Sequence, residues 1–181
     1  MCIRDSSLVF FAGPVWQASD QLVFKQGTKH ATIEKTIQED GEEVIWERTS
    51  STSDREFEKL KPNWIKPSKE NLKESIEQIQ SMPLALGTEW GKPLRKALEM
   101  KPQPEVIVFM TDGVAGETEE IVEEITEIAK KKSIVINAVA LLEPRAADGM
   151  KALAEKTGGT AIMVRSEDEI EDLFTGEITK R

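Results

Sequence analysis

The feature that most constrains the fold is an alternation in the last 77 residues of this 181-residue chain. Residues 105–110, EVIVFM, are a continuous apolar run rich in β-branched side chains, the composition of a strand buried on both faces. Residues 117–132 follow with helical spacing. Ile121, Val122, Ile125, Ile128 and Ala129 form one stripe, acids come early, and Lys130, Lys131 and Lys132 close the last turn, which suits the helix dipole. The pattern predicts a second strand over 133–142, a helix over 146–156 ended by Gly158-Gly159, and a third strand over 160–164. A last helix over 166–174 has Ser166 as its N-cap. Strands separated by single helices and short loops predict crossovers onto a parallel sheet.

The first half is less regular. Residues 8–11 and 21–24 read as short strands forming an antiparallel pair, the first of them buried and ending at the Gly13-Pro14 turn. Weak alternation on both sides of Asp40-Gly41 predicts a hairpin between 29 and 49. Residues 49–67, with Ser/Thr clusters, Pro62 and Pro67, read as a connection. A helix over 68–82 follows, with Leu72, Ile76, Ile79 and Met82 on one side and Ser68 as cap. Another spans 91–100, with Pro93 tolerated in its first turn. The opening hexapeptide MCIRDS has no periodicity and is expected to be a non-native leader.

Charge narrows the partners. Residues 1–104 hold 16 acids and 15 bases, whereas 105–181 hold 17 acids and 9 bases, so nearly all of the net −9 lies in the alternating half. Binding a phosphate backbone needs clustered Lys and Arg, which argues against nucleic acid. No apolar run reaches the roughly 18–20 residues of a membrane-spanning helix. The single cysteine, Cys2, excludes an internal disulfide.

Ligands of parallel α/β sheets bind beyond the carboxyl ends of the strands, so the residues after each strand are the ones to weigh. Thr111-Asp112-Gly113 follows the first buried strand. Asp112 is either a cation ligand or nucleophile, or simply part of the tight turn that Asp-Gly favours. The stretch Leu86-Gly87-Thr88-Glu89-Trp90-Gly91-Lys92 precedes a helix, and Trp90 reads as a binding-face anchor or as half-buried packing. Trp16, Trp46 and Trp64 read as packing residues. His30 stands alone and reads as a surface histidine. Glu119, Glu120, Glu123, Glu124 and Glu127 read as the solvated side of their helix.

Taken together, Gly87-Thr88-x-x-Gly91-Lys92-x-Leu94, a helix, a buried strand, Thr111-Asp112-Gly113 and the later Gly158-Gly159-Thr160-Ala161 turn resemble the von Willebrand factor type A domain family. The resemblance implies a three-layer, doubly wound, mostly parallel α/β sheet over 7–176, with 8–11 and 21–24 as the family's second and third strands. Residues 27–66 would be a variable insertion carrying the hairpin. It also implies a metal-ion-dependent adhesion site, usually holding Mg²⁺, in which a partner protein's acidic residue completes the coordination. Thr88 maps to the family's hydroxyl ligand and Asp112 to its aspartate after the next strand. The family's third ligand loop, Asp-x-Ser-x-Ser, occurs nowhere in the 181 residues, and Asp5-Ser6-Ser7 has the wrong spacing to replace it. The first strand and first helix of the family also lack a counterpart. The expectation is therefore a sheet without its central first strand, poorly stable alone, binding Mg²⁺ weakly or not at all. Any membrane association would come only from a segment upstream.

No catalytic base is evident, and neither the Gly-x-x-x-x-Gly-Lys-Ser/Thr phosphate loop nor Gly-x-Gly-x-x-Gly is present. The expected function is a non-enzymatic, metal-assisted protein-binding module without catalytic residues. The alternative is a phosphoryl-transfer or receiver-type α/β protein with Asp112 as nucleophile. That chemistry wants a Lys after a later strand, where Leu142-Glu143-Pro144 supplies only an acid.

Overall fold

The computed structural model describes residues 5–12, 15–17, 21–24, 31–39, 42–48, 64–81, 87–116, 118–166 and 169. Strands β1 (Val9–Phe11) and β2 (Val15–Gln17) pair antiparallel across the Gly13-Pro14 position, with Phe10 opposite Trp16. Strand β3 (Gln21–Phe24) pairs instead with β4 (Ala31–Glu39), which pairs in turn with β5 (Glu42–Arg48). The expected pairing of 8–11 with 21–24 is thus corrected: each finds a closer neighbour in sequence, and short connections are the cheaper ones to close. The run 8–11 is also half-buried rather than buried. The Asp40-Gly41 hairpin is present, because Glu39 and Glu42 face each other and leave two residues for the turn.

Two helices follow. Helix α1 (Lys69–Ser81) begins where the Ser68 Oγ accepts the Asn71 amide at 3.0 Å, the N-cap that its sequence predicts. Its expected apolar side stays in water: Leu72 is 63% exposed, Ile76 and Ile79 are exposed too, and the helix has no buried residue. Met82 lies outside the described residues. Helix α2 (Gly91–Glu99) buries Leu94 and Leu98 and carries Pro93 in its first turn, where no intrahelical amide is lost. Its last turn is held by the Lys132 ammonium, which donates to the Leu98 carbonyl at 2.7 Å.

The chain divides into two compact units, 1–96 and 97–181. The second contains the predicted alternation almost as written. Strands β6 (Val106–Thr111), β7 (Val135–Leu141) and β8 (Ala161–Val164) form a parallel sheet in the order β6-β7-β8, linked by α3 (Thr118–Lys132) and α4 (Ala147–Lys156). A one-turn 3₁₀ segment, Pro144–Ala146, leads into α4. Parallel strands joined by helices make this an α/β, Rossmann-like arrangement, as the sequence pattern indicates.

Packing shows one difference. Helix α4 packs on β7 and β8, and α3 packs on α4 and β7. The two helices therefore share one face, and the in-register residues Ile107, Phe109 and Thr111 with Ile136, Ala138 and Ala140 are buried there. The alternate residues of β6 are not: Val106, Val108 and Met110 are exposed, Val108 by 65%. The run 105–110 is thus an alternating strand, not one buried on both faces. A continuous apolar sequence states that both sides can be buried; which sides are depends on where the helices land.

A close backbone approach fixes the α4–β8 turn. The Thr157 hydroxyl accepts the Ile136 amide at 3.1 Å and donates to the Leu153 and Ala154 carbonyls, so it ties the helix end to β7. Beside it, a Cβ on Gly159 would overlap the Ile136 carbonyl oxygen, so only glycine fits. The predicted cap at Ser166 is present, its Oγ accepting the Glu169 amide at 3.3 Å while Glu169 accepts the Arg165 amide at 2.6 Å. The rest of the expected 166–174 helix lies outside the described residues, as do His30 and Cys2.

Candidate functional site

The carboxyl ends of β6, β7 and β8 lie side by side, because the three strands are parallel and adjacent. At the first of them β6 stops in a tight turn. The Thr111 hydroxyl, buried at the strand end, accepts the Gly113 amide and donates to the Gly113 carbonyl, each at 3.2 Å. This closed loop pushes Asp112 outward, and the residue is exposed. Val114 is exposed just beyond it, and the Thr118 hydroxyl donates to the Ala115 carbonyl at 2.6 Å at the entry to α3. Glu119 and Glu120 occupy the first turn of that helix, where its dipole favours negative charge. Their side of the helix is largely solvated, as the sequence suggests, and Glu127 pairs with Lys131 at 3.6 Å.

After β7 the chain turns through Leu142, which has φ +58° and an exposed side chain. A left-handed leucine costs about 1 kcal/mol relative to glycine. The Leu142 amide donates to the Val164 carbonyl at 2.8 Å, so the turn stays tied to β8. Glu143 follows and binds Arg145 three times: its Oε1 accepts the Arg145 amide and Nε, both at 3.0 Å, and its Oε2 accepts Nη2 at 2.8 Å. Those hydrogen bonds hold the Glu143 carboxyl down at about 2 and push the Arg145 guanidinium up from its ordinary value. In sequence Glu143 stands out only as an acid without a lysine, and its arginine partner does not. The fork of the Arg145 guanidinium suits a bidentate grip on a carboxylate.

The second predicted ligand stands in the other compact unit. Thr88 is half-buried in the loop that leads into α2. Gly87 before it has φ +107°, a conformation that only glycine adopts freely. The Glu89 carboxylate accepts the Gly91 amide at 3.2 Å and so begins the helix. Trp90 is completely buried, which corrects its reading as a binding-face anchor or half-buried residue. Its large apolar ring next to the apolar stripe of α2 is better placed out of water than at a rim.

Asp5-Ser6-Ser7 offers no replacement for the absent ligand loop. Ser6 and Ile65 exchange backbone hydrogen bonds at 2.9 and 2.6 Å, which ties this stretch to the segment before α1. Among the described residues, no group of three or more His, Cys, Asp or Glu side chains converges in a way that could hold a metal ion. Among them also, no helix is long and apolar enough to cross a membrane.

Comparison with known proteins gives the chain a family context. A family model for the von Willebrand factor type A domain matches residues 52–163, more than half of the chain, and these include both Thr88 and Asp112. A solved structure described as an uncharacterized membrane spanning protein from Vibrio fischeri is similar at 17% identity. That match covers 64% of this chain and 69% of the other, with a TM-score of 0.29. No curated protein matches.

Proposed function

Because the chain belongs to the von Willebrand factor type A domain family, whose members are generally protein-interaction modules, we propose that it binds a protein partner and catalyses no reaction. The observation that carries this reading is the family match over 52–163, together with an exposed Asp112 at the carboxyl end of a parallel strand. That end of an α/β sheet is where ligands bind.

The cation is a separate question. Thr88 and Asp112 are oxygen donors of the kind a hard divalent ion prefers, but Mg²⁺ takes about six oxygens in near-octahedral array. Two side chains, with no Asp-x-Ser-x-Ser loop in the sequence and no converging acid cluster among the described residues, do not make a fitted cage. The proposed partner contact therefore needs no metal. Asp112 is at most a weak, largely hydrated cation donor, and Thr88 is a separate candidate donor in its own unit. Asp112 would serve the partner as an exposed, rigidly presented group, since the Thr111–Gly113 hydrogen bonds fix its loop.

Isothermal titration of the full chain with Mg²⁺ tests the reading. Binding in the millimolar range or weaker, reduced by both Asp112→Ala and Thr88→Ala, is the expected result. Heat of equal size in all three proteins would remove both residues from any cation site. Acyl-phosphate trapping should leave Asp112 unmodified; a labelled Asp112 would turn the assignment to phosphoryl transfer.

A further inference from the structure

We draw no further inference here: the strongest candidate, the exposed apolar face of the β6–β8 sheet formed by Val106, Val108, Met110 and Ile162, carries nothing because nothing in the structure shows what covers it.

Discussion

Helices α1 and α3 have nearly the same length and the same kind of apolar stripe, yet α3 buries Ile121, Val122, Ile125 and Ala129 while α1 buries no residue. Both start at a well-made N-terminal turn: Ser68 caps α1, and Thr118 closes the entry to α3. Both carry an exposed i,i+4 ion pair, Lys73 with Glu77 and Glu127 with Lys131, each at 3.6 Å. What separates them is a surface to bury against. Helix α3 lies between two strands that pair with each other, so its stripe meets α4 and β7 as soon as the crossover closes. Local propensity and capping make a helix possible, and a tertiary partner makes it stable.

The largest test of that contrast is a matched pair of truncations. Ile125→Ala removes a fully buried side chain and should lower stability by about 3 kcal/mol in a urea melt. Ile76→Ala in α1 removes an exposed one and should cost less than about 0.5 kcal/mol. Equal losses would mean that α1 is buried after all. Gly159→Ala comes next. It forces a methyl group against the Ile136 carbonyl and should cost about 2 kcal/mol, with amide exchange quickening first at the α4–β8 turn.

Ser68→Ala sharpens the α1 side. Loss of the cap costs the helix about 1 kcal/mol, but with nothing buried on α1 the loss should appear as faster amide exchange over 69–73 and an unchanged global melt. A lowered melting temperature would contradict the comparison. The smallest expected effect concerns Glu143. Its folded carboxyl titrates at about 2, against an ordinary 4.5, because Arg145 hydrogen-bonds the charged form. A depressed folded pKa adds stability above about pH 4.5 and loses it as pH falls toward 2. Carboxyl carbon shifts followed by NMR should show Glu143 titrating near 2 in the wild type and near its ordinary value in Arg145→Ala. No change on that substitution would deny the chelate.

The strength of the alternation explains how much could be read from sequence. Residues 105–164 specify each strand and helix of the parallel unit within one or two positions, because burial on a common face imposes the periods 2 and 3.6. The hairpin at Asp40-Gly41 was equally legible, since a two-residue turn constrains its flanks. The partner of 8–11 was not, because a three-residue strand contains too little pattern to choose among neighbours. Nor could the exposure of Val106, Val108 and Met110 be read, as apolar identity does not report which sheet face the helices cover. For the site, position relative to a strand end singled out Asp112. The Glu143–Arg145 chelate follows a turn through left-handed Leu142, a conformation that leucine does not advertise.

Asp112, exposed at the carboxyl end of β6, is the proposed contact and weak cation donor of this interaction module. Paramagnetic relaxation by Mn²⁺, a spectroscopically visible stand-in for Mg²⁺, tests it residue by residue in the full chain. Millimolar Mn²⁺ should broaden the amides of 111–113 first, and Asp112→Ala should abolish that effect. Broadening centred on the acidic side of α3, or saturation at micromolar Mn²⁺ that survives Asp112→Ala, would contradict it.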